Sequence, residues 1–352
     1  MITKGLVRNF CLQLPVIDAA ALLSKSPRMV DECRKAVDCM HKTGVMVLRD
    51  PRVDDRENEE FLDMMERYYA QSSQKYYQDG LLPDSRPSAG YNVGVLPELK
   101  ERARLHDKTI EERFADSRPV TPQPPPKDKK WRFMWRVGSQ AEMTGNNILA
   151  ENVVPDGMPG FGERMDSFGS ILRESCYTAS EMIAVGLGAP QNTFRSKMEG
   201  GTQLLGPTGS DLAKYNRVGE VLAGFHYDLS FLTIHGKSRF PGLFIWLRTG
   251  EKVNVKVPKG CFLLQAARQL EIMTAGHIFA GFHEVIVTED TLQAIEKAKR
   301  EQRSLWRVSS TMFSSIRYDE IIQPLDMFKS SVSPSLPSLT SPSTRQSWSP
   351  TR

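Results

Sequence analysis

Hydrophobic spacing divides the chain into a helical first half and a strand-rich second half. Over 27–43, Met29, Cys33, Ala36, Val37 and Met40 recur along one helix face, and Thr43-Gly44 marks the stop. Val45 to Leu48 then reads as a buried strand ending at Asp50-Pro51. A helix over 56–77 carries Phe61, Met64, Met65, Tyr68 and Tyr69 as an apolar stripe, which reads as core. The longest helical signal covers 160–187. There Met165, Phe168, Leu172, Cys176, Ala179, Ile183 and Leu187 share a face, and Gly188-Ala-Pro190 closes it. Near the start, Leu14 to Ile17 predicts a short strand, with Asp18 as a helix cap.

From 201 to 316 the period shortens to that of strands. Residues 204–205, 213–216, 221–234, 243–248, 253–257, 261–265, 277–287 and 306–313 are the expected strands. Turn signals such as Pro207-Thr-Gly209, Pro241-Gly242 and Pro258-Lys-Gly260 separate them. Many short strands with short turns predict a mainly β fold with flanking helices, a sandwich or jelly roll behind a helical N-terminal region. Between the halves lie a charged stretch over 97–113 and a proline-rich connector over 118–127. Trp131, Phe133 and Trp135 come next and are expected to anchor the chain onto the body. The expected divisions are an α/β region over 1–120, a connector and support helix over 121–200, a jelly roll over 201–328, and a disordered Ser/Pro-rich tail over 329–352.

Composition narrows the functional classes. The chain has 352 residues, 40% of them hydrophobic, enough for a large core. Its formal net charge is +4, and no basic block with interleaved aromatics occurs, so no nucleic-acid partner is expected. The five cysteines are scattered without a Cys-x-x-Cys pair. Neither a zinc ribbon nor a disulfide framework is indicated, and a reducing compartment, cytoplasm or nucleus, is expected. No apolar run is long enough to span a bilayer, so no membrane partner is expected either.

The candidate chemistry lies in Phe225-His226-Tyr227-Asp228. Side chains alternate along a strand, so positions 226 and 228 point the same way. A third ligand on a neighbouring strand would make two histidines and one carboxylate on one face of a metal, a set that suits non-haem Fe(II). His283, in the strand Ala280 to Val287, offers that ligand, and a later strand carries Arg307-Val308-Ser309. His277 is a rival to His283. His235 is separated from 226 and 228 by an odd number of residues and is expected on the opposite face. His41 and His106 are expected to be solvated. Taken alone, His226 and Asp228 read as a hydrogen-bonded structural pair.

Taken together, these motifs resemble the isopenicillin N synthase-like family of Fe(II)- and 2-oxoglutarate-dependent oxygenases. The resemblance covers most of 14–328 and is strongest over 215–285. It implies a helical, dioxygenase-type N-terminal region before a double-stranded β-helix. It implies His226, Asp228 and His283 as iron ligands, with 2-oxoglutarate as cosubstrate and dioxygen as oxidant. It implies that Arg307 and Ser309 grip the distal carboxylate of 2-oxoglutarate, and that Tyr215 contacts the same molecule. Two features depart from the family. A charged, capped helical insertion over 288–304 separates His283 from Arg307, which leaves Arg303 and Arg317 as alternatives. Glu284 also stands where the family has arginine; it faces away from His283 and is expected to affect packing.

Three functions fit this pattern: a 2-oxoglutarate-dependent oxygenase, an iron oxidase of the same fold that does not use 2-oxoglutarate, and a non-catalytic jelly roll that binds a partner. The resemblance favours the first, acting on a small organic substrate with release of succinate and CO2. Tyr91, Trp131, Trp135 and Phe313 are candidates to line its pocket.

Overall fold

The computed structural model describes residues 14–89, 93–138 and 150–331. Tyr91 and the tail from 332 lie outside the described residues. The helices are α1 Ala20–Leu23, α2 Met29–Thr43, α3 Asp55–Asp79, α4 Asp107–Arg113, α5 Phe161–Gly186, α6 Arg195–Met198, α7 Arg268–Met273 and α8 Glu289–Arg300. The strands are β1 Val16–Asp18, β2 Val45–Arg49, β3 Gly94–Leu96, β4 Trp131–Arg136, β5 Gln203–Leu205, β6 Thr208–Asp211 and β7 Val221–His226, then β8 Leu232–His235, β9 Leu243–Trp246, β10 Lys252–Asn254, β11 Cys261–Ala266, β12 Phe282–Ile286, β13 Trp306–Ser309 and β14 Thr311–Ser314.

Two sheets face each other as a jelly roll. The larger runs β1-β2-β11-β8-β14-β5-β4-β6-β13, with β3 paired to β4. The smaller runs β10-β9-β12-β7. The N-terminal strands β1 and β2 are thus continuous with the sheet built by the second half. The long helices lie on the outer face of the larger sheet. Trp131, Phe133 and Trp135 point to that face, against Tyr76, Tyr68 and Phe161 at ring separations of 5.6, 5.0 and 6.2 Å. All three side chains are buried anchors, and none lines the barrel. Each such side chain contributes about 1.5–3 kcal/mol through burial. Alternation then turns Arg132, Met134 and Arg136 toward the space between the sheets.

The helical signals appear where the spacing placed them. Gly44 closes α2 in the left-handed conformation, with φ of 71°. A Cβ there would also lie 3.1 Å from the Cα of Gly281, so the two glycines let β2 and the start of β12 approach. The strand region differs in several places, and the expected strand over 306–313 is also two, β13 and β14. The stretch 221–234 is two strands in different sheets, because the chain crosses between sheets over 227–231. Residues 213–216 form a turn, in which the N–H groups of Lys214 and Tyr215 both donate to the Asp211 carbonyl. The Pro207-Thr-Gly209 turn signal instead opens β6, whose small residues pair with β4 and β13. The insertion is the helix α8, capped by Thr288. Its Ile295 and Ala298 pack with Leu212, Leu222 and Val287, so it rests on the barrel wall.

The outer face of the smaller sheet is aromatic. Phe225 and Phe282 stack at 4.8 Å, and Ile110 and Phe114 from the α4 region cover them. His106 packs here, 5.2 Å from the Phe282 ring and half-buried, rather than in solvent as expected. One edge strand of this sheet is β7, and an uncovered edge invites pairing with other chains. The proline-rich connector covers it. The N–H of Phe225 donates to Thr121 Oγ1 at 2.8 Å, and that of Gly224 donates to Asp128 Oδ1 at 2.9 Å. Glu284, fully buried on β12, holds the connector in turn. It accepts from the N–H groups of Val120 and Thr121 at 3.0 Å, from the Thr121 hydroxyl at 2.7 Å and from Lys252 Nζ at 2.7 Å.

Glu284→Ala should therefore leave Lys252 and three donors without their acceptor in the interior. Loss of about 3–5 kcal/mol is expected in chemical denaturation. A loss below about 1 kcal/mol, the range of exposed pairs, would show that Glu284 does not hold the connector.

Candidate metal centre

The ladder between β7 and β12 places His283 directly opposite His226. Because Phe225 and Phe282 face outward, their neighbours His226 and His283 face the space between the sheets. Their rings lie 4.2 Å apart. Asp228, just beyond the end of β7, joins them, with Oδ1 3.7 Å from His226 Nε2. One nitrogen from each histidine and one carboxylate oxygen all lie within 4.8 Å of one another. Among the described residues this is the one group of three such side chains able to hold a metal ion.

The atoms pointing away from this centre are engaged. His226 Nδ1 donates to the Gly224 carbonyl at 2.6 Å, which leaves Nε2 free. Asp228 Oδ2 accepts from the Thr233 hydroxyl at 2.7 Å, which leaves Oδ1 free. His283 Nδ1 lies 3.0 Å from Gln265 Nε2 and 3.4 Å from the Gly281 oxygen. Such outer partners fix ring orientation in metal sites. Gly281 makes room for them: a Cβ there would meet Gln265 Cγ and Nε2 at 3.0 Å.

Charge states match the donor set. Burial pushes His283 down to about 4, with the neighbouring His226 adding to the effect. Burial lowers His226 as well. Burial alone would raise Asp228, but His283, His226 and the Thr233 hydroxyl outweigh it and hold the carboxyl below its usual range. Two neutral imidazoles and one carboxylate are thus present at neutral pH, the form in which these groups bind a metal.

Arg307 lies on the inner face of β13, since the adjacent Trp306 ring stacks on Tyr69 of α3 at 5.5 Å on the outer face. Its Nε donates to the Pro241 carbonyl at 3.2 Å, and its Nη groups have no hydrogen-bond or carboxylate partner among the described residues. Burial pulls its pKa down to about 10, so it remains charged at neutral pH. A buried guanidinium without a counter-ion is costly, and an anion from outside the chain would relieve that cost. Ser309 shares this face, with its hydroxyl 3.1 Å from that of Thr311. Arg303 pairs with Glu301, and Arg317 with Asp319 and Glu320, so both are already engaged.

Other expected residues are placed elsewhere. The Tyr215 ring lies against Lys129 and Lys214, each at 5.0 Å, and packs with Leu212, Leu222 and Phe240. None of these partners is a triad residue, Arg307 or Ser309. Its backbone belongs to the turn after β6, which directs the ring to the α8 side. The His277 ring lies 4.4 Å from that of His41, tilted against it and away from the triad. Phe313, on β14, is half-buried and shares the inner face with His235 and Thr233, the partners of β14 across its ladder with β8. His235 is a correction. It was expected to face away from the triad, but its ring lies 6.1 Å from that of His283. Counting from 226 fails because β7 and β8 lie in opposing sheets, whose inner faces look at each other. Gln265, Thr233 and Thr311 were not anticipated. Their signal is present: each is a polar residue inside a buried strand, where an unpaired polar group is costly.

No protein-family model matches the chain, and no curated protein matches it. Solved structures do match. A full-length Neurospora crassa protein in complex with alpha-KG and 5-formyluracil is 16% identical, with 94% of each chain covered and a TM-score of 0.67. The rice dioxygenase for auxin oxidation is 15% identical, covering 90% of this chain and 87% of that one, with a TM-score of 0.58. JOX2 in complex with 2OG, Fe and JA is 15% identical, covering 89% and 78%, with a TM-score of 0.57. At these identities the likeness is one of fold: the chain shares its jelly roll with proteins solved with 2-oxoglutarate and iron.

Proposed function

We propose that this protein is an Fe(II)- and 2-oxoglutarate-dependent oxygenase of the isopenicillin N synthase-like type. It oxidises a small organic substrate, by hydroxylation, and releases succinate and CO2. The observation that carries this reading is the pairing of the His226, Asp228 and His283 triad with a buried Arg307 that has no carboxylate partner among the described residues, inside one barrel. A metal site alone would not require that guanidinium, and a binding module would require neither.

His226, Asp228 and His283 would hold Fe(II) through the atoms left free by Gly224, Thr233 and the Gln265–Gly281 pair. Fe(II) bound there supplies the dioxygen chemistry that couples decarboxylation of 2-oxoglutarate to substrate oxidation. Arg307 offers planar, two-pronged donors suited to the far carboxylate of 2-oxoglutarate. Ser309 adds a hydroxyl on the same strand face. The two opposing sheets shield the reacting atoms from water, and Phe313 with Met134 supplies apolar wall on the larger sheet. A small substrate is supported by the neighbours, since the Neurospora crassa protein was solved with thymine and with 5-formyluracil, and JOX2 with JA.

Under anaerobic conditions, protein loaded with Fe(II) should develop a visible charge-transfer band when 2-oxoglutarate is added. His226→Ala should abolish the band, and a band that survives would disprove the ligand assignment. Arg307→Ala should weaken 2-oxoglutarate binding by about 2–5 kcal/mol, measured from the band's titration. Wild-type protein that binds Fe(II) but shows no band would exclude 2-oxoglutarate as cosubstrate. Succinate release across a metabolite panel would then identify the substrate.

The charge states predict a pH profile. With His283 held down near 4, protons compete with the metal only in acid. Mn(II) affinity measured by calorimetry should stay nearly level from about pH 8 to about pH 6 and fall below about pH 5. A tenfold fall already at about pH 6.5, the ordinary histidine range, would contradict it.

A further inference from the structure

The polar side chains behind the triad form one unbroken chain across the larger sheet. The Ser309 hydroxyl lies 3.1 Å from Thr311 Oγ1. Thr311 Oγ1 lies 3.1 Å from His235 Nδ1, and His235 Nε2 lies 3.3 Å from Gln265 Oε1. Gln265 Nε2 then lies 3.0 Å from Nδ1 of His283. Four contacts thus join the strand of Arg307 to the distal histidine of the triad. His235 is the middle member and the one that spans two ladders, opposite Thr311 on β14 and Leu263 on β11.

Packing does not require this arrangement. His235 is buried on the inner face of β8, and a leucine there would fill a similar volume. It would, however, leave Thr311 Oγ1 and Gln265 Oε1 short of a partner in the interior. Buried networks of this kind are stable only when every member is satisfied, so a change at one member is felt along the line.

Resting on the oxygenase reading above, we infer that His235 is a positioning residue that couples the metal end of the site to its carboxylate-binding end. Through Gln265 it sets the orientation of the His283 ring. Through Thr311 it sets where the Ser309 hydroxyl points beside Arg307. Changes at either end are transmitted to the other without contact between them.

The test uses full-length protein and Mn(II), which needs no turnover. Mn(II) is titrated by calorimetry into metal-free protein, and 2-oxoglutarate into the Mn(II)-loaded form. His235→Leu should weaken Mn(II) binding by about tenfold, the lower end for loss of an outer partner of a metal ligand. Ser309→Ala should weaken 2-oxoglutarate binding several-fold in wild type and have almost no further effect in the His235→Leu background. His235→Gln keeps a donor and an acceptor and should regain most of the lost Mn(II) affinity, which a purely space-filling role would not explain. Mn(II) affinity of folded His235→Leu within twofold of wild type, or an equal effect of Ser309→Ala in both backgrounds, would overturn the inference. If His235→Leu fails to fold, His235→Ala, which removes the same two ring nitrogens without adding bulk, forms the same cycle with Ser309→Ala. Wild-type protein that binds no Mn(II) would overturn the oxygenase reading instead. The coupling is then read in long-range proton–nitrogen spectra of the metal-free protein. The His283 ring signals should move in the position-235 variant. Unmoved His283 signals would overturn it.

Discussion

His283 stands opposite His226 across the β7–β12 ladder, and the rest of the site depends on that register. A slip of one residue would send both imidazoles to the outer face and bring phenylalanines inward. The same two strands hold the register from outside, where Phe225 and Phe282 stack beneath α4. Ligands inward and aromatic stack outward are alternate positions of one pairing, so hydrophobic burial on one face pins coordination geometry on the other.

That pairing lies next to an open edge, because β7 is the last strand of its sheet. The register also shifts just past His283, which leaves Gly224 and Phe225 with N–H groups the ladder does not use. The proline-rich connector, with few N–H donors of its own to place, lies along this edge and accepts both through Thr121 and Asp128. Glu284 then ties the connector back to the strand that carries His283. Glu284, beside His283, thus serves the neighbouring strand through the fold. It stabilises the backbone that presents His226.

At the other end of the barrel the constraint is electrostatic. Arg307 is buried on a strand whose outer neighbour, Trp306, is fixed by α3, so the guanidinium cannot turn outward. Its charge persists at neutral pH because burial lowers its pKa only to about 10. A dianion that reached from the triad to Arg307 would meet a positive group at each end. The α8 insertion does not disturb this geometry, because it packs on the outside with Leu212 and Val287.

The helices, the jelly-roll class, the meeting of His226, Asp228 and His283 and the inward position of Arg307 were legible in the chain itself. Periodicity reports which face of an element is buried, and the ligands sit on strands whose alternation is local. The position of His235 was not legible, since it depends on which sheet each strand joins and how the two inner faces meet. The surroundings of Tyr215 were not legible for a related reason: a turn held by Asp211, rather than a strand, sets its direction. The roles of Glu284, Thr121 and Gln265 were likewise decided only by tertiary structure. Each acts on a residue far away in sequence, and local spacing carries no record of such contacts. The sequence by itself determined which side chains could bind a metal and an anion; the pairing of strands decided which groups orient them.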